Sequence, residues 1–459
     1  MLFSSITFIY FFLPIFLIVY YITPKKFRNT IVLIFSLLFY FIGEPKYIIV
    51  LLLSCVINYI LSKKIENAKN SKVYLIAAIV YNIGQLIIFK YTDFFISNIN
   101  FIFNVNIPYT YIVMPIGISF FTFQALSYVI DVYNKKHKSA SNVWEFMMYI
   151  SLFPQLVAGP IVRYDDVKND LNNRKETFDK FGCGVKRFTI GLAKKVLLAN
   201  VLGELIGFIT EISVLASWVK AICYTMQIYF DFSGYSDMAI GIGMMIGFKF
   251  LENFNYPFIA SSVTDFWRRW HMSLSSFFRD YIYIPLGGNR VSSIKWIRNI
   301  FVVWFLTGFW HGANWNFILW GIYFGVLLIF EKKVLSKFLN KTKVFKYLYT
   351  ILIVIISFVI FSSSSLIGIK EELGNMFGIN NIMFSGSQIK FYLKNYGLFL
   401  IFSIVFATPL ISKIINKLNT TMIRVVIDIF EPIIYILLII LSTAFLIDES
   451  FNPFLYFIF

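Results

Sequence analysis

Apolar runs of about 14 to 20 residues recur along the whole chain, separated by short polar turns. A helix of about 20 apolar residues crosses the hydrocarbon core of a bilayer. Candidate spans lie near 4–22, 30–43, 46–62, 73–89, 110–130, 145–160, 197–215, 217–231, 238–250, 298–330, 347–363, 397–412 and 425–447. Several are short or interrupted, which predicts about 11 transmembrane helices plus re-entrant or interfacial pieces. The first run has no basic leader and no small-residue cleavage site, so it is expected to be a retained span. The expected fold is an all-α polytopic membrane protein, with 1–459 as a single integral membrane domain.

Composition agrees. Of 459 residues, 58% are hydrophobic and only 14% charged, against roughly 25% charged in soluble domains. Soluble, disordered and fibrous classes are therefore excluded. The net charge of +17 is spread over short loops: Lys25, Lys26 and Arg28; Lys63, Lys64, Lys69 and Lys72; Lys135, Lys136 and Lys138; Lys332 to Lys346; Lys413, Lys417 and Arg424. The positive-inside bias puts these loops in the cytoplasm and both termini outside. No single basic stripe forms, so the partner is the lipid bilayer and no nucleic acid. The longest basic stretch, from Arg163 to Lys195, reads as a cytoplasmic surface helix on anionic lipid or, alternatively, as a docking face for an acidic carrier or the CoA head. Cys55, Cys183 and Cys223 are widely spaced and fit buried thiols with no disulfide framework.

Polar groups in so apolar a chain are costly and mark function. They are densest in 224–325. Two of three histidines, His271 and His311, lie there, each directly after a Trp. A desolvated imidazole stays neutral and is able to accept a proton from a hydroxyl. His137, within Lys135-Lys136-His137-Lys138, reads as a surface residue. Two histidines without HxxxH or HExxH spacing do not make a zinc site, so metal binding is not expected. The break Trp310-His311-Gly312-Ala313-Asn314-Trp315 interrupts an apolar run, and such breaks are tolerated where protein or a water-filled cavity surrounds them. Residues 263–296 are too polar to span and fit a re-entrant or interfacial element. Its Arg268, Arg269, Arg279 and Arg290 suit either a donor's phosphates or pairing with Asp265 and Asp280. Gly241-Ile-Gly-Met-Met-Ile-Gly247 fits close helix packing. No phosphate-binding loop and no GxSxG elbow occurs.

Several strings resemble the membrane-bound O-acyltransferase superfamily: Met114-Pro-Ile-Gly-Ile-Ser-Phe-Phe-Thr-Phe-Gln124, Phe153-Pro-Gln-Leu-Val-Ala-Gly-Pro160, Gln227–Gly241, Glu252-Asn-Phe-Asn-Tyr-Pro257, Asp265–Ser275 and Trp310–Trp315. Phe278–Arg290, with its Pro-Leu-Gly-Gly-Asn-Arg ending, is similar to the branch that includes the alginate O-acetylation membrane protein. The tail Asn452–Phe459 is also similar, with Ile458 where relatives often carry a polar residue. The resemblance implies a multi-helix bundle around a central tunnel, with His311 the essential histidine and His271 its companion. It implies acyl transfer from a cytoplasmic thioester, acetyl-CoA or an acyl carrier, toward hydroxyls of a cell-surface polysaccharide at the bacterial cell membrane. No bound cofactor is implied, and an exported transferase or the glycan itself is the expected acceptor. Tyr283, Asn314 and the Arg279–Asp280 pair are candidates for stabilising the oxyanion. The alternatives are D-alanyl transfer from a carrier protein to teichoic acid and, in another class, a transporter or channel.

Overall fold

The apolar runs fold mainly as helices because a helix satisfies its backbone N–H and C=O groups internally, which lipid demands. The computed structural model describes residues 1–157, 159–417 and 421–448, and all regular structure among them is helical. The tail with Ile458, and Ala158 of the 153–160 string, lie outside the described residues. Among the described residues, six helices are long and apolar enough to cross a membrane: Lys25–Gly43, Ile48–Asn67, Ser71–Phe103, Phe345–Ser362, Ser387–Phe406 and Val426–Asp448. Phe8–Ile22 and Ile118–Tyr133 are apolar but shorter. Hydropathy runs suggest more spans because they ignore where helices join and break. The runs 217–231 and 238–250 fold into one helix, Val214–Met245, that carries Asp231 and Asp237. The run 298–330 folds into two shorter helices. Ile429, Ile433, Ile436 and Ile440 stay exposed on the last span. Their spacing gives one apolar face, as lipid contact requires.

The chain forms two compact units: Met1–Phe188 with Ser236–Leu251, and Thr189–Tyr235 with Glu252–Phe459. The first is built on aromatic packing, in which the Phe8, Phe12, Phe16 and Phe39 rings all meet Phe153 at 5.1–6.3 Å. Asn58 and Asn82 exchange amide hydrogen bonds of 3.2 and 2.6 Å between two spans, a polar tie between apolar helices. Gly241 permits the close approach expected of it, since a Cβ there would stand 2.6 Å from Gly184 O. Cys55 and Cys223 are buried free thiols, whereas Cys183 is exposed. Cys183 departs from expectation because the helix Phe178–Ala193 is amphipathic and places it on the outer face.

The Arg163–Lys195 stretch is less of a surface than its charge suggests. Arg174 donates to Tyr20 Oη at 2.9 Å and lies near Glu176, which Arg28 also meets at 3.0 Å. His137 corrects the sequence reading. It is buried, stacked 5.4 Å from Tyr128 with the tilted Tyr164 ring at 5.0 Å, and its Nδ1 faces Lys138 O at 3.0 Å. Two tyrosines fold over the basic turn, which local charge alone does not reveal.

Candidate active site

The second unit holds both remaining histidines. Its relevant helices are α1 (Val263–Trp267), α2 (Met272–Phe278), α3 (Ser293–His311), α4 (Trp315–Phe330) and α5 (Phe345–Ser362). The expected break is real: α3 ends at His311 and α4 begins at Trp315. The two helices form a tight hairpin because Gly308 faces Gly321. A Cβ on Gly308 would collide with Phe317 O, and one on Gly321 with Trp304 O. His311 thus sits at the elbow. Its ring meets Trp310 at 5.0 Å, Trp320 at 4.9 Å and Phe361 at 5.3 Å, all near edge-on. It keeps 7% of its surface accessible, against 1% for His271.

His271 occupies the turn between α1 and α2. Its φ is +44°, a left-handed conformation that a non-glycine residue holds at a cost. The Oδ1 of Asn253 sustains that turn. It accepts the Ser273 N–H at 3.2 Å and the Ser273 Oγ–H at 2.9 Å, and it lies 3.1 Å from His271 Nδ1. An amide oxygen accepts and never donates, so Nδ1 carries the hydrogen and Nε2 the lone pair. Burial pushes the imidazole pKa down to about 3, so the ring is neutral at physiological pH. The His271 ring meets Phe232 at 4.7 Å and Trp310 at 6.2 Å. One indole, that of Trp310, therefore stands against both histidines. Below them Trp267 packs on Trp304, Trp320 and Phe324 at 4.7, 5.5 and 4.9 Å.

The other sequence candidates are exposed or already have partners. Arg269 Nε pairs with Asp265 at 2.9 Å, and Arg279 Nε with Asp280 at 2.6 Å. Arg268 is exposed. Tyr283 Oη accepts the Trp296 indole N–H at 3.1 Å. Asn314 Nδ2 reaches Ser364 O at 3.4 Å. Two groups escaped the sequence reading. Asn253 lay in a polar turn that was itself a motif. Glu331 follows directly on the apolar run of α4, a lone acid ahead of a lysine cluster. Lys195 is no surface charge either: it is buried and meets Asp231 at 2.6 Å and Asn200 at 2.8 Å. In the first unit Asp131, His137 and Asp165 lie close enough to share a cation, but Lys136 Nζ sits 2.6 Å from Asp131 Oδ1 and supplies the positive charge there.

The sequence profile of the membrane-bound O-acyltransferase family matches residues 121–369, more than half of the chain and the region of both histidines. The chain is 36% identical to a probable alginate O-acetylase of Azotobacter vinelandii over the full length of both proteins. It is 34% identical to a peptidoglycan O-acetyltransferase of Helicobacter pylori (strain ATCC 700392 / 26695), over 83% of this chain and 81% of that one. A teichoic acid D-alanyltransferase of Bacillus subtilis (strain 168) is 31% identical over 47% of this chain and 60% of its own. The chain belongs to the membrane-bound O-acyltransferase family and is a multi-pass membrane acyltransferase.

Proposed function

We propose that this protein moves acetyl groups from a cytoplasmic thioester, acetyl-CoA, toward hydroxyls of a cell-surface polysaccharide at the bacterial cell membrane. The relatives that align along most or all of the chain carry names of glycan O-acetylation, one for alginate and one for peptidoglycan. The D-alanyl relative aligns over less than half of it. The observation that carries the reading is the pair of histidines held against the single Trp310 indole.

His311, the more accessible ring, is the general base. It takes the proton of the accepting hydroxyl as the hydroxyl oxygen attacks the thioester carbonyl carbon. The tetrahedral intermediate then expels the thiolate, which recovers a proton, and the C–S bond is replaced by a C–O bond. His271 presents its Nε2 lone pair from a fixed ring and orients the reacting groups. Asn314 and Tyr283 are candidates for the developing oxyanion. Arg268 and Arg290, both exposed, are the arginines for the donor's phosphates, since Arg269 and Arg279 already hold carboxylates, Arg279 that of Asp280. Transfer of only the small neutral acyl group through a central tunnel spares the buried-charge cost of moving a whole CoA. The acceptor is the glycan or an exported transferase that relays the group.

The test replaces His311 with Ala or Gln and measures O-acetyl esters on envelope glycans by mass spectrometry. Loss of the esters, with protein still folded in the membrane, is expected. Undiminished esters overturn the assignment.

A further inference from the structure

Glu331 is a buried acid at the end of α4, 4% exposed. Its carboxylate has no basic partner within ion-pair distance among the described residues. It accepts the Val263 N–H at 2.7 Å, the Thr264 N–H at 3.2 Å and the Thr264 Oγ–H at 3.0 Å. These are the leading N–H groups of α1, which have no partner within that short helix. Ser262 Oγ takes the next one, from Asp265, at 3.0 Å. One carboxylate thus holds the start of the segment that ends in the strained His271 turn.

The same residue directly follows α4, the helix that starts just after His311. We propose that Glu331 is a positioning residue that fixes where His271 stands relative to His311. The two histidines approach the indole on separate chain segments. Trp267, in α1, packs into the α3–α4 hairpin, and Glu331, at the far end of α4, ties down the opening of α1 from 68 residues away. Sliding contacts between flat aromatic rings define a direction poorly; three hydrogen bonds to one carboxylate define it well. With the carboxylate in place, the His271 turn has one position. Without it, α1 is free to shift along the ring stack, and misplacement by about 1 Å costs up to ~100-fold in rate.

This inference rests on the acyl-transfer reading, and its test separates the two. Membranes carrying the full chain are supplied with radiolabelled acetyl-CoA, and label entering envelope glycan is measured per molecule of folded enzyme. The variants are Glu331→Gln, Glu331→Ala, Thr264→Val and His311→Ala. Glu331→Gln is expected to lower kcat about tenfold or more with KM for acetyl-CoA little changed, and Glu331→Ala to lower it further, because Gln retains one acceptor. Thr264→Val removes one of the three bonds from an exposed side chain and is expected to lower kcat about threefold. It carries the test if Glu331→Ala does not fold. Variants that reduce only the amount of folded protein, with kcat per molecule unchanged, overturn the positioning role. Undiminished transfer in His311→Ala overturns the acyl-transfer reading instead.

Discussion

Removing the Asn253 side chain probes the His271 turn most directly. Asn253 is fully buried, and its Oδ1 is shared by Ser273 N–H, Ser273 Oγ–H and His271 Nδ1–H. In Asn253→Ala the buried Ser273 N–H loses its acceptor, at about 1–3 kcal/mol. Ser273 Oγ, 3.5 Å from Nδ1, is able to turn and accept the ring hydrogen, so the imidazole is not stranded. Its tautomer, however, is no longer pinned. A hydrogen bond of about 1.4 kcal/mol corresponds to about tenfold in the population that presents Nε2. Asn253→Ala should therefore melt several degrees lower and transfer acetyl groups about tenfold more slowly per folded molecule. Asn253→Asp separates the two effects. It keeps the acceptor for Ser273, so stability is largely held, but it sets a negative charge about 3 Å from the ring. That charge favours the imidazolium and raises the His271 pKa from its depressed value of about 3. The variant should be near wild type at pH 8 and lose activity below about pH 6, where the wild type does not titrate at this ring. Acetyl transfer from pH 5 to 8.5, normalised to folded protein, reads both. An Asn253→Asp profile that superposes on wild type refutes the tautomer argument.

Buried neutral His271 also links stability to pH. Its pKa lies at about 3 folded against 6.5 unfolded, so the unfolded chain binds the extra proton and stability falls as pH drops from 6.5 toward 3, by about 1.4 kcal/mol per unit. Melting measured at pH 7.5 and 5.5 should show a smaller shift in His271→Gln than in wild type; equal shifts would argue against the burial. Gly308→Ala or Gly321→Ala should destabilise by about 1–3 kcal/mol or more through collision in the hairpin, while Gly325→Ala, whose Cβ would find its nearest neighbour at 3.5 Å, should be tolerated. Thermal unfolding of the purified variants decides. Lys195→Met alone should cost about 3–5 kcal/mol by leaving Asp231 charged and buried, and the double change with Asp231→Leu should recover most of it in the same assay.

The histidines were legible because both stand in aromatic strings inside apolar sequence, where a polar residue is conspicuous. The hairpin break was legible too, since two runs too short to span met at Gly312 and Asn314. What supports the histidines was not. Asn253 reaches His271 across 18 residues, and Glu331 reaches Val263 across 68, through turns whose path no periodicity encodes. The same limit explains His137. Its neighbours in sequence are lysines, but its neighbours in space are Tyr128 and Tyr164. Lys195 likewise looked like one more basic residue on an outer helix. It turns inward within the π-helical turn Lys194–Asn200, which rotates it toward Asp231.

The ring walls around His311 bear on waste. An activated acyl group beside a basic nitrogen is as vulnerable to hydrolysis as to the intended acceptor. Trp310, Trp320 and Phe361 meet the imidazole near edge-on and cover it with aromatic surface on those sides. On the acyl-transfer reading, a sugar hydroxyl carried on a larger body approaches from the part of the ring they leave uncovered. On the same reading, the enclosure favours transfer over futile consumption of the donor.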